Sequence, residues 1–209
     1  MKRVLALLLV VILSIGLCSA EEYVAYINPI LGYAFYIPDG WIAVDYQNVA
    51  DVLAANGGSD QYNQDITNWI GQMEGTPYVI LFQKEYENAS FYTNINVTMQ
   101  NIGEELTVAD LLLYNDQIKA DLTNAFGNYT EIYPLTQIQL GSWDTALSQG
   151  EYDMYNQTRT LMQARFFKGT IMYEVTLTVL KDELTDLLQN NLGFIVGTFY
   201  APDLTITEE

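Results

Sequence analysis

The chain has 209 residues, 26 acidic against 8 basic side chains, a net charge of −18 and no histidine. Its one cysteine, Cys18, lies in the first twenty residues. Imidazole bases, thiolate nucleophiles and zinc sites of the usual His or Cys type are therefore excluded beyond that segment. The scarcity of Lys and Arg argues against any nucleic-acid partner, which needs clustered cations to displace counterions.

Met1-Lys2-Arg3 is a positive start, Val4–Leu17 is an uncharged apolar run, and Cys18-Ser19-Ala20 supplies small residues before Glu21-Glu22. This pattern predicts a secretory signal peptide over 1–20, cut after Ala20, and a secreted or cell-envelope location. The apolar run falls short of the roughly 20 residues of a membrane span. No transmembrane segment is expected in the mature chain. A lipid anchor at Cys18 is disfavoured, because Leu17 stands where a small residue is wanted. Cleavage leaves six basic residues against 26 acidic ones, a net charge of −20, in one domain over 21–209. Acidity of this degree serves solubility; a salty habitat or cation binding are the alternatives.

Tyr23–Asn28, Tyr33–Ile37 and Trp41–Asp45 read as short strands, rich in aromatics and broken by Asn28-Pro29, Gly32 and Pro38-Asp39-Gly40. Val49, Val52 and Leu53 have helical spacing that Asn56-Gly57-Gly58 stops. Ile66, Trp69, Ile70 and Met73 form a second amphipathic stripe. Tyr78–Phe82 is a continuous apolar run, as in a strand covered on both faces. From Phe91 to Gln100 the chain alternates: Phe91, Thr93, Ile95, Val97 and Met99 point one way, and Tyr92, Asn94, Asn96, Thr98 and Gln100 the other. One helix is predicted over Thr107–Phe126. Thr107 and Asp110 start it as a capping box, Leu111, Ile118, Leu122 and Ala125 form its buried stripe, and Gly127 is its C-cap. Strands follow at Ile132–Leu140, Thr145–Tyr152, Arg159–Phe167 and Ile171–Leu180, the last two joined at Lys168-Gly169. A closing helix over Asp182–Phe199 has an acidic first turn. Its apolar stripe is Leu184, Leu187, Leu188, Leu192, Ile195 and Phe199. Sequential hairpins under two long amphipathic helices give an α+β fold: a three-layer α/β/α sandwich on a central, mainly antiparallel sheet.

Several residues invite a functional reading. Trp41 follows a turn and reads as a core plug rather than a ligand platform. Trp69 lies on a helical stripe, which places it in the core. Trp143, in Leu140-Gly141-Ser142-Trp143-Asp144, is the tryptophan expected at the surface, though no second aromatic at defined spacing supports sugar stacking there. Residues 56–65 have the oxygen-rich composition of a calcium loop. Tyr62 occupies a ligand slot there and the closing Glu is missing, which favours a solvated loop. Glu104-Glu105 and Asp182-Glu183 are adjacent carboxylates of the kind a hydrolase would pair, but they fall at expected helix starts, where capping explains them. Arg159, Arg165 and Lys168 cluster on one hairpin, with Arg159 and Arg165 on the same side. They offer a positive spot for a partner, against ordinary ion pairing with nearby acids. Asn88, Asn96, Asn128 and Asn156 begin glycosylation sequons. No catalytic residue, cofactor site or specified metal site is expected.

The stretch Gly32-Tyr33-Ala34-Phe35-Tyr36-Ile37-Pro38-Asp39-Gly40-Trp41 resembles the opening landmark of PsbP-like and DcrB-like domains. Asn94–Thr98 before a helix, Leu140-Gly141 followed by Ala146, and Tyr173-x-Val175-Thr176 before a helix ending in Ile195-x-x-x-Phe199 are similar to later landmarks, in order, over roughly 23–200. The resemblance implies an α/β/α sandwich and a non-enzymatic, accessory role, since PsbP docks as an extrinsic subunit at the lumenal face of photosystem II. The metal contacts of the plant protein involve histidine, and this chain has none. The Val49–Met73 segment departs from plant PsbP and is similar to an insertion in bacterial relatives. Sequence alone thus points to an exported, non-catalytic, protein-binding or accessory envelope component. A small-ligand or calcium-binding module is the alternative, and a carboxylate-based hydrolase comes last.

Overall fold

A computed structural model describes residues 23–28, 31–56, 60–71, 78–84 and 91–202. The leader with Cys18, the Gly57-Gly58 stop, Met73 and the Asn88 sequon lie outside the described residues. The element order is β1 (Ala25–Asn28), β2 (Tyr33–Tyr36), β3 (Trp41–Val44), α1 (Val49–Asn56), α2 (Asp60–Gly71), β4 (Tyr78–Gln83), β5 (Asn94–Asn101), α3 (Val108–Leu112), α4 (Asn115–Phe126), β6 (Thr130–Leu140), β7 (Trp143–Met154), β8 (Gln157–Lys168), β9 (Ile171–Leu180) and α5 (Asp186–Gly197). Strands β3 to β9 form one seven-stranded sheet in the order β3-β4-β5-β9-β8-β7-β6, and β1 pairs with β2 separately. The pairings in both sheets are antiparallel. The expected α+β sandwich is what forms.

Alternation along each strand separates two faces. The first carries Val79, Leu81, Ile95, Val97, Val175, Leu177, Ala164 and Phe166. It is covered by the β1–β2 hairpin and by Leu188, Leu192 and Ile195 of α5 in one core. At its centre Phe199 lies 4.9 Å from the Tyr173 ring, 5.0 Å from Phe166 and 5.3 Å from Tyr33. The second face is covered in two separate places. Leu53, Tyr62, Ile66 and Ile70 of α1 and α2 close over Ile42, Val44, Ile80 and Phe82 at one end. Val108 and Leu111 of α3 close over Leu135 and Ala146 at the other. Leu122 and Phe126 of α4 pack there against Tyr152 and Leu161. Between the two helical pairs, no described helix covers the middle of β5, β9 and β8 on this face.

The structure breaks the helix expected over Thr107–Phe126. Thr107 caps it in a capping box with Asp110, as expected. At residues 113–114 the amides of Leu113 and Tyr114 bond back three residues, to Asp110 and Leu111, and the chain turns. The break redirects α4 along β6 and β7. Leu111 stays buried, Ile118 and Leu122 are half-buried and Ala125 is exposed, so the expected stripe is only partly used. Gly127 is the C-cap in left-handed conformation (φ 79°). The last helix also starts later than expected. Lys181–Glu183 form a 3-10 turn, and Thr185 caps α5 by accepting the Leu188 amide at 3.4 Å. Leu187 is exposed. Glu104 and Glu105 sit exposed in the turn before α3 rather than within it.

Candidate functional site

The bare strip on the second face is polar where a covered sheet would be apolar. Register places its residues in rows across β5, β9 and β8: Asn94–Thr178–Leu161, then Asn96–Thr176–Gln163, then Thr98–Glu174–Arg165. Asn94 is 2% and Gln163 6% exposed. These groups are thus not a freely solvated surface. They floor a groove of about 370 Å³ between the helical pairs. Its walls are aromatic: Trp69 of α2 and Tyr78 on one side, Phe126 and Tyr152 on the other, with Phe91 lining it as well. Trp69 is fixed edge-on against Phe82 (5.5 Å), and Phe126 stacks on Tyr152 (4.1 Å).

Among the described residues the floor holds one carboxylate, Glu174, and it is already engaged. Arg165 Nε lies 2.5 Å from its Oε2. Gln163 Nε2 and the Thr176 hydroxyl each donate to its Oε1 at 3.1 Å. A charge-assisted contact reinforced by two neutral donors holds the row rigid. The Tyr78 phenol is pushed above its ordinary value, first by burial and then by the nearby Glu174 charge. In contrast, Asn94 Oδ1, Asn96 Oδ1, Gln163 Oε1 and Arg159 Nε are buried without a hydrogen-bond partner among the described residues. Beside them Ser148 Oγ and Arg165 Nη1 are in the same condition. Arg159 pairs with no carboxylate among the described residues. Its guanidinium lies 4.4 Å over the Phe91 ring and reaches the Met154 sulfur at 3.2 Å.

The arginine cluster expected on the β8–β9 hairpin therefore divides. Arg159 and Arg165 share the groove side, as strand parity requires, whereas Lys168 points to the opposite face. Ordinary ion pairing describes Arg165 but, among the described residues, not Arg159. Sequence reading missed the groove itself. The signal was the polar half of the 91–100 alternation, which needed β9 beside it to become a surface.

Other expected sites fall elsewhere. Trp143 is not a surface platform. Its indole N–H donates to the Phe199 carbonyl at 2.8 Å and its ring packs 5.0 Å from Phe166, because the turn at Gly141 folds it under α5. Trp41 is buried in the core beneath its turn, as expected, whereas Trp69, expected in the core, is only half-buried and lines the groove. The proposed calcium loop is not a loop beyond residue 59, since Asp60–Asp65 lie within α2. No group of three or more metal-ligating side chains occurs among the described residues. Asn96 of its sequon sits in the groove, whereas Asn128 and Asn156 are exposed at turns. A larger, mainly apolar hollow of about 550 Å³ lies beside Trp41, lined by Tyr23, Ile37 and Pro38.

An antiparallel sheet with helices on both faces defines an α/β/α sandwich, and its particular form is the PsbP-like fold. Cyanobacterial PsbP (CyanoP) from Synechocystis sp. PCC 6803 is similar at TM-score 0.54 and 13% identity, over 90% of this chain and 96% of that chain. LpqN, involved in cell envelope biogenesis of Mycobacterium tuberculosis, is similar at TM-score 0.52 and 12% identity, over 88% of each chain. A protein of Bacteroides thetaiotaomicron VPI-5482 is longer: at TM-score 0.47 and 12% identity the match covers 86% of this chain and 48% of that one. No family model and no curated protein matches the sequence. No helix among the described residues is long and apolar enough to cross a membrane.

Proposed function

We propose that this chain is an exported, non-catalytic accessory component of the cell envelope that works by binding. The observation that carries the reading is the groove, where rigid, buried polar groups stand unpaired between aromatic walls. Binding sites have this composition, mostly apolar with a few fixed polar groups. Hydrolysis by paired carboxylates needs two of them across a cleft. Among the described residues the only carboxylate lining this groove is Glu174, whose oxygens are occupied by Arg165, Gln163 and Thr176. The fold shared with LpqN and CyanoP, together with the signal-like leader, supports a place outside the cytoplasm. The small size of the groove favours the small-ligand alternative as the mode of action over a protein interface.

Fractionation of the native host tests the location. The expected result is a chain of mass beginning at Glu21, outside the cytoplasmic membrane. An uncut cytosolic chain overturns export. A photoreactive residue at Thr98 tests the groove: the expected adduct forms in the envelope fraction and disappears in Asn96→Leu. Absence of any adduct that depends on Asn96 overturns binding through the groove.

A further inference from the structure

We propose that the groove takes an uncharged polyhydroxylated ligand, a mono- or disaccharide-sized sugar; this rests on the groove being a binding site. The first argument is the mixture of unpaired groups. Asn94 Oδ1, Asn96 Oδ1 and Gln163 Oε1 only accept, and Arg159 Nε only donates. An anion would satisfy the donor and leave three acceptors stranded. A cation would do the reverse. A hydroxyl both donates and accepts, so a ring of hydroxyls satisfies both kinds at once.

The second argument is electrostatic. Arg159, which pairs with no carboxylate among the described residues, stands at one end of the groove and repels cations. Glu174 and the strongly negative chain repel anions. A neutral ligand feels neither penalty. The third argument is shape. Trp69 and Tyr78 face Phe126 and Tyr152 across the polar floor, so the ligand meets flat apolar surfaces at its sides and amides beneath. The C–H faces and hydroxyl rim of a pyranose match that division. A volume of about 370 Å³ lies at the small end of the usual range for ligand pockets.

Titration of the purified chain, followed by tryptophan fluorescence and saturation-transfer NMR, decides the matter. Maltose, cellobiose and N-acetylglucosamine serve as uncharged probes; glucuronate, glycine and spermidine serve as the anion, the zwitterion and the cation. The expected result is saturable binding of at least one uncharged sugar. Asn96→Leu should weaken it about tenfold, the loss of one good hydrogen bond, without lowering the melting temperature. Thr98→Val, nearly isosteric, provides a second groove variant that keeps the fold. Binding of only a charged or zwitterionic probe overturns the proposal, as does sugar binding that both variants leave unchanged, or no binding of any probe. If no sugar binds but the Thr98 adduct still depends on Asn96, the ligand class is wrong and the binding groove stands.

Discussion

Replacing Gly141 by Ala should loosen α5 from the sheet, whereas replacing its neighbour Gly197 should not. The two glycines meet where the β6–β7 turn touches the end of α5. A Cβ on Gly141 would lie 2.5 Å from the Gly197 carbonyl oxygen and 2.8 Å from its Cα. Both are backbone atoms, so no rotamer change relieves the overlap, and the helix itself must shift. Gly141 also has φ +60°, where an L side chain is strained. The left-handed conformation costs about 1–2 kcal/mol, and overpacking against an immobile neighbour costs about 1–3 kcal/mol more. Together they predict a loss of about 2–5 kcal/mol, and at about 2–4 °C per kcal/mol for a domain of this size, a Tm lower by roughly 4–20 °C. A Cβ on Gly197 meets nothing nearer than 3.8 Å, and the residue is the last of a helix, so Gly197→Ala should be neutral or stabilising by up to about 1 kcal/mol. Thermal melts by circular dichroism measure both. Gly141→Asn separates the terms, since Asn tolerates left-handed backbone but keeps the clash. Equal effects of Gly141→Ala and Gly197→Ala, or a wild-type melt for Gly141→Ala, would refute the close approach.

Arg165→Met should cost about 3–5 kcal/mol, because it strands Glu174 in the groove floor, and Arg165→Met with Glu174→Gln should recover much of that in a denaturation series. Trp143→Phe keeps the packing against Phe166 but removes the donor to the Phe199 carbonyl. A loss of about 1 kcal/mol in urea melts is expected, and an unchanged midpoint would mean that the indole does not tether α5. Tyr26, Tyr33, Tyr78 and Tyr173 have phenol pKa values raised above 10.0, in each case chiefly by burial. The neutral phenol is the form the fold keeps. Their contribution is fully present below pH 10.0 and is lost as pH rises from there toward the folded values. Tyrosinate absorbance should therefore show these four phenols ionising only together with unfolding. A single smooth titration of all tyrosines with the fold intact would contradict this.

The sequence by itself determined most of the local structure. Period-two alternation in 91–100 and 171–180 assigned each side chain to a face, because that alternation is a property of the strand backbone. Thr107, Asp110 and Gly127 marked helix ends through hydrogen bonds made within a few residues. Composition removed histidine and cysteine chemistry without reference to any fold. Where a local pattern admitted two outcomes, packing chose. The stripe through Leu111 and Ile118 was compatible with one helix, yet the chain turns at residues 113–114 and two helices lie on the sheet instead. Thr185 outcompeted Asp182 as the start of α5 because its hydroxyl reaches the Leu188 amide. Trp143 looked like a surface residue beside a turn until the segment just after α5, far along the chain, supplied the Phe199 carbonyl. The groove belongs wholly to tertiary structure. Asn96, Thr176 and Gln163 come from three strands and become neighbours only through antiparallel register. Alternation within a strand can say that Asn96 faces away from the core, but long-range pairing decides what it faces.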